Sequence, residues 1–176
     1  MNIIESIIKK EIKRQLKEIS LNRLISHVNK EGKTKSFGII TAFRSTNDLK
    51  TNLLLNKQLE SDIKKLNLGF FKLKGHWQEC TDSNYNYNDC PTNLKIHAIE
   101  ISLFIPNINK KQLSLLTKKY DQDASIYSGV EVDNKIALIY KNNTYDIIAT
   151  KMTSGIISQA YSELKGKTFV FENNYL

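Results

Sequence analysis

Residues 36–67 read SFGIITAFRSTNDLKTNLLLNKQLESDIKKLN, and the fold turns on how this stretch divides. Phe37–Phe43 is a continuous apolar and β-branched run, the pattern of a strand covered on both faces. Arg44-Ser45-Thr46-Asn47-Asp48 interrupts it with short polar side chains, which predicts a turn with Thr46 or Asn47 as helix cap. Leu49, Leu53, Leu54, Leu59, Ile63 and Leu66 then recur at helical spacing up to Asn67, and Gly69 is placed to end the helix.

Working toward the C-terminus, Phe70–Glu79 predicts a second strand. Cys80–Asn93 is rich in Asn, Asp, Tyr and Ser and contains Pro91, so it is expected to be a long exposed loop. His97–Ile105 alternates as a third strand and stops at Pro106-Asn107. Asn109 can cap a helix running through Leu113, Leu116 and Tyr120, and Ala124–Tyr127 forms a fourth strand. The order β-α-β-β-α-β points to the α+β class: a split-βαβ-like antiparallel sheet with helices on one face. Beyond it, Lys135–Tyr140 and Tyr145–Thr150 flank Asn142-Asn143, a C-terminal hairpin signal. Ser154–Leu164 predicts a final helix, and Thr168–Glu172 a short strand.

Toward the N-terminus, Ile3, Ile4, Ile7, Ile8, Ile12, Leu16 and Ile19 form an apolar stripe with charges opposite, an amphipathic helical arm. Ser20 can cap a short helix through Leu21, Leu24, Ile25 and Val28, and Glu31-Gly32-Lys33 breaks the pattern. The expected division is a helical extension over residues 1–35 and a single α/β domain over 36–176.

The chain of 176 residues, 40% hydrophobic and 25% charged, suits one globular domain with appendages. No run of eighteen apolar residues occurs, so no membrane span is expected. Lysines interrupt the apolar N-terminus, making a poor signal peptide and favouring an intracellular chain. The net charge of +8 is uneven: residues 1–35 carry +5 and the other 141 residues +3. That excess favours anionic partners.

Candidate sites follow from residue chemistry. Arg44 and Asn47, in a strand-to-helix turn, can meet a phosphate or carboxylate with free N–H groups and a guanidinium; Glu100 and Gln122 join them at one end of the sheet. No glycine-rich phosphate loop is present. Lys10, Lys13, Arg14 and Lys17 on the arm, with Lys72 and Lys74 near Trp77, Tyr85 and Tyr87, are candidate nucleic-acid contacts. His76, Cys80, Cys90 and His97 offer a Cys2His2 zinc set, but paired C-x2–4-C spacing is missing; the expectation is two free thiols, no metal and no cofactor. None of the three histidines sits in a nucleophile motif, and Glu79 with Glu100 is the remaining acidic pair, so a non-enzymatic protein is expected.

Several segments taken together resemble a domain-of-unknown-function family of small α/β proteins found in bacteria and tailed phages. They are Ile39-Ile40-Thr41-Ala42-Phe43-Arg44, Asn52, Asn56 and Leu59, then Gly69, Gly75-His76-Trp77-Gln78-Glu79, Glu100-Ile101-Ser102-Leu103-Phe104 and Tyr120–Tyr127. The ending Tyr161…Leu164–Glu172 is similar to phage members. Bacterial members have Asn-Pro after the first strand, where this chain has Arg44-Ser45. The resemblance implies a phage-encoded α/β protein and no established reaction. The resulting expectation is an accessory or virion-associated protein acting by protein–protein assembly, next to nucleic acid, in the virion or host cytoplasm. Its partners would be phage or host proteins docked through the N-terminal helix, or a second copy, and no membrane. The competing expectation is an infection-phase small-ligand sponge or small enzyme binding a phosphate-bearing ligand at the Arg44/Asn47 turn.

Overall fold

The structure, a computed structural model, describes residues 21–29, 35–82, 84–85, 89–155, 160–164 and 166–172. The predicted arm over residues 2–19 therefore lies outside the described residues. In chain order the elements are α1 (Leu21–Asn29), β1 (Phe37–Thr41), α2 (Leu49–Lys65), β2 (Phe71–Cys80), β3 (Lys95–Pro106), α3 (Lys110–Lys119) and β4 (Ala124–Ser128). Then come β5 (Ile136–Tyr140), β6 (Tyr145–Ala149), β7 (Lys151–Ser154), β8 (Ala160–Leu164) and β9 (Lys167–Glu172). The protein is mixed α+β, dominated by one antiparallel sheet in the order β6-β5-β4-β1-β3-β2-β8-β9-β7.

That order forces the sheet to curl. β6 and β7 stand at opposite ends of it, yet only Thr150 separates them in the chain. One run of residues pairs first with β5 and then with β9, so the two edges must meet. β6 touches β9, and the Thr150 N–H donates to the Glu172 carbonyl at 2.9 Å. The result is nearly a barrel, which leaves little strand edge unpaired.

Strand alternation then sorts side chains onto two faces. Outward from β1 and β3, Ile40, Leu103 and Ile105 meet Leu59 and Ile63 of α2 and Leu113 and Leu116 of α3 in one dry cluster. Gly38 is required there, because a Cβ would lie 2.9 Å from Ile108 and 3.0 Å from Leu113. Inward, Phe37, Leu73, Phe104, Ile136, Met152, Leu164 and Phe169 form a second cluster. Phe37 stacks on Phe104 with centroids 5.0 Å apart and Phe71 tilts against Phe104, so aromatic rings plug one end of the barrel.

α1 belongs to this second cluster, through Leu24 and Val28. Its Asn29 amide donates to the Met152 carbonyl at 2.6 Å and accepts from the Met152 N–H at 2.8 Å, occupying the edge of β7 as another strand would. The helix at residues 21–29 thus docks on the sheet.

Local chemistry differs from expectation at three points. Asp48, not Thr46 or Asn47, caps α2, accepting from the Thr51 N–H at 2.7 Å, and that hydrogen bond holds the Asp48 carboxyl below its ordinary value. The turn after α2 is made by Asn67 at φ 58°, two residues before Gly69. Among the described residues the final helix expected over Ser154–Leu164 does not form: Lys151–Ser154 and Ala160–Leu164 are strands β7 and β8. The outer edge of β2 supplies the reason. Its residues Lys74–Trp77 need backbone partners, and β8 provides them, with Gly75 opposite Ser162. α3, by contrast, has the Asn109 cap as predicted, in a reciprocal capping box with Gln112.

Candidate ligand-binding site

The end of the barrel opposite the aromatic plug is open. Thr41 of β1, Gly75 and Trp77 of β2, Glu100 and Ser102 of β3, Ile126 of β4, Leu138 of β5, Ser162 of β8 and Phe169 and Phe171 of β9 surround an interior cavity of about 330 Å³. The register explains the set: Gly75 lies opposite Glu100, Thr41 opposite Ser102, and Ile39 opposite Ile126, so alternate residues of five neighbouring strands point to one lumen. A groove of about 630 Å³ at the same end shares Thr41, Trp77, Glu100 and Ala124 with the cavity and forms its mouth. Leu49, Trp77, Ile96 and Ile99 are exposed along this groove, Trp77 to 50%.

The mouth is held by amides. Asn52 of α2 accepts from the Arg44 N–H at 2.9 Å and donates to the Arg44 carbonyl at 3.0 Å. One turn later Asn56 accepts from the Ala42 N–H and donates to the Ile101 carbonyl, both at 3.1 Å. Both side chains are buried, so these bonds satisfy backbone groups that would otherwise be stranded where β1 ends. Gln122 completes the clamp by donating to the Phe43 and Tyr120 carbonyls, each at 3.2 Å.

The four ligand-binding candidates, Arg44, Asn47, Glu100 and Gln122, all line the mouth groove. They are not equally placed to hold an anion. Arg44 Nη1 donates to the carboxylate and main-chain carbonyl of Asp121, and Asn47 Nδ2 lies 3.3 Å from Asn52 Oδ1. The Lys141 ammonium, and after it Arg44, hold the Asp121 carboxyl below its ordinary value. Asp48 supplies a negative charge at the N-terminus of α2, where an anion would otherwise sit. Glu100 faces inward, where Ser102 Oγ donates to its Oε1 at 3.0 Å.

The remaining candidates separate. Cys80 and Cys90 form a disulfide with Cα atoms 5.8 Å apart, which overturns the expectation of free thiols and removes both from the zinc set. Among the described residues no group of three or more His, Cys, Asp and Glu could hold a metal. His76 and His97 do meet, Nδ1 to Nε2 at 3.1 Å, on the outer face of β2 and β3, with His76 stacked on Tyr161. Burial, and then the Lys74 charge, push the His76 imidazole below its ordinary value, against the opposing pull of Glu163. Lys72 and Lys74 share that outer face and pair with Glu60 at 2.7 Å and Glu163 at 3.8 Å. Trp77, one residue beyond His76, points the other way, so the lysines and the tryptophan do not form one stacking surface. Tyr85 is exposed, while Tyr87 and the arm residues Lys10, Lys13, Arg14 and Lys17 lie outside the described residues.

Sequence reasoning missed Thr41, Trp77, Ser102 and Asp121 as parts of one site, and Asn52 and Asn56 as its clamps. A signal for the clamps existed: Asn52, Asn56, Leu59 and Ile63 continue one buried helical stripe, and an amide in such a stripe has to find a backbone partner.

No protein-family model matches the chain, and no curated protein matches it in sequence.

Proposed function

We propose that this protein binds a small ligand inside the open end of its barrel-like sheet. The observation that carries the reading is the cavity: about 330 Å³, walled by inward side chains of β1, β2, β3, β4, β5, β8 and β9 and reached through a formed mouth. Ligand sites are concave, mostly apolar and supplied with a few fixed polar groups, in the size range of roughly 300–1,000 Å³. The first six elements from β1 to β4 act as a split-βαβ scaffold, and the later strands roll it into a container. Within the phage setting that the family resemblance implies, the protein is an accessory ligand binder. The binding position is the lumen rather than an anion clamp at the Arg44 turn, because Arg44 is already engaged by Asp121. The Cys80–Cys90 bond favours the virion over the reducing host cytoplasm.

A thermal-shift screen of small aromatic amines, alcohols and acids tests this reading. Binding to the folded state raises the melting temperature. Stabilisation by at least one class is expected, and Leu138→Trp, which fills the lumen, should abolish it while leaving the fold intact. No stabilisation by any class, or full retention in the filled variant, would remove the lumen as the site.

Assembly through residues 1–20 is a second reading, favoured by the charge: +5 of the net +8 lies in residues 1–35. Deleting residues 1–20 leaves α1 in place. Unchanged self-association and partner capture after that deletion would end this reading.

A further inference from the structure

We propose that the mouth groove receives an extended, largely apolar segment of a partner polypeptide, which adds as a strand to the open edge of β3 at His97 and Ile99. Such docking is independent of what the lumen holds.

The sheet lacks a strand at this place. β1 pairs with β3 only over residues 102–106, whereas β2 pairs with it over residues 95–104. Burial follows the pairing: Ser102, Leu103, Phe104 and Ile105 are buried, while Ile96, His97 and Ile99 are exposed. β1 stops because Asn56 takes the Ala42 N–H and Asn52 the Arg44 N–H, which turns the chain away into α2. On the far side, β4 pairs with β1 only as far as Ile126. The position into which β1 would have continued is the groove, with β3 along one side, residues 121–124 along the other and the turn at residues 43–47 closing its end.

Neighbouring bonds fix which way the β3 backbone points. The Ile101 carbonyl accepts from Thr41 Oγ1 at 2.9 Å and from Asn56 Nδ2 at 3.1 Å, on the β1 side. The Leu94 carbonyl accepts from the Thr81 N–H at 2.9 Å, on the β2 side. In an antiparallel ladder the N–H and C=O of one residue point to the same neighbour, and successive residues alternate. His97 and Ile99 therefore present both groups to the groove, and among the described residues no strand pairs with them on that side. Two donors and two acceptors at strand spacing select an extended chain, since a helix has already spent its own backbone groups.

The side chains along the groove suit that occupant. Trp77, which lies opposite Ala98, and Ile96 meet an added strand on the inner face; Leu49 and Ile99 meet it on the outer one. All four large side chains are exposed. Alternate residues of the incoming segment thus both reach apolar surface, which calls for β-branched or aromatic side chains on either face. The segment continues the β1–β3 interface that the fold already has. Because the edge is recessed between two walls, a free segment reaches it more readily than the edge strand of a second folded copy.

Trp77 is the sole tryptophan of the chain and lines the groove, so its fluorescence reports occupancy. Titration of the full chain with a capped peptide, STVFVTS, should give saturable binding, and hydrogen exchange at the His97 and Ile99 amides should slow by about tenfold or more. Two versions of the peptide, N-methylated on its even or on its odd residues, should differ in affinity by about tenfold, because only one set of amides faces β3. Ile99→Pro removes one donor without touching the β2 ladder and should weaken binding by about tenfold. Should that variant not fold, the methylated pair decides on the unaltered chain. Absence of binding, or equal affinity of the two methylated peptides, would overturn strand addition. Leu138→Trp, which fills the lumen, should leave peptide affinity within about threefold. Loss of binding there would move the peptide into the lumen and overturn the edge site. A dimer in sedimentation velocity that the peptide dissociates would give the groove to a second copy and overturn the choice of partner.

Discussion

The two faces of the sheet are built from the same strands and have opposite fates. On the outer face of β1 and β3, helices α2 and α3 lie directly on the strands, and Ile40, Leu59, Ile63, Leu103, Ile105 and Leu113 leave no room even for a methyl at Gly38. On the inner face the strands meet one another and, through Leu24 and Val28, the short helix α1. Curling lets aromatic rings fill one end, but the other stays hollow and holds Glu100, Ser102 and the mouth. A helix laid on a sheet fills its grooves with long side chains, whereas a sheet closing on itself leaves whatever volume its side chains do not span. The first face is filled along its length by the helices, and the proposed binding site lies on the second.

The largest effect that would sharpen this contrast comes from truncating one leucine on each face. Leu103→Ala under the helices should cost about 2–5 kcal/mol, since close packing prevents collapse around the void. Leu138→Ala beside the lumen should cost less than about 2 kcal/mol, because part of its surroundings is already empty. Chemical denaturation of the two variants checks this, and equal losses would mean that the lumen is packed as tightly as the helical face.

A smaller effect separates the two constrained glycines. Gly38→Ala drives a methyl into Ile108 and Leu113 and should cost about 1–3 kcal/mol, the usual range for overpacking. Gly75→Ala meets the Glu100 side chain, which can swing into the hollow, so its cost should fall below about 1 kcal/mol. Matching melting temperatures for the two variants would break the distinction between a filled and an open face.

The smallest effect concerns the part of the outer face beyond α2, where His76 is roofed by Tyr161, His97 and Glu163 beside Lys74. Its imidazole titrates below 6.5 in the folded chain. Between that lowered value and 6.5 the unfolded chain binds a proton that the folded chain does not, so stability should rise with pH across this window. Above 6.5 the group contributes no slope. His76→Gln should flatten the dependence in a urea-midpoint series from pH 5 to pH 8. A slope that is unchanged would mean that Glu163 and the ring stack accommodate the charged imidazole.

Much of the strand and helix pattern was legible because it is local. The apolar run Phe37–Phe43, the Leu/Ile spacing of α2 and the Asn109 cap of α3 depend on neighbours a few residues away. Ala160–Leu164 was misread for the complementary reason: its state is decided by the vacant edge of β2, more than eighty residues earlier in the chain. The cysteines follow the same logic, since a loop from β2 back to β3 brings Cys80 and Cys90 within bonding distance, and composition alone favoured free thiols.

The site divides along that line as well. Arg44, Asn47, Glu100 and Gln122 could be placed at one end of the sheet from strand order and turn position. That Arg44 is spoken for by Asp121, that Asn52 and Asn56 clamp the turn, and that a lumen lies behind Glu100 could not. By itself the sequence determined the succession of local elements, the buried stripe of each and the uneven charge, because periodicity and capping act over a turn or two of chain. Only the tertiary structure decided that β6 and β7, joined through Thr150, pull the two edges of the sheet together. Closure pairs residues far apart in sequence, and a volume left between strands is a property of all of them at once.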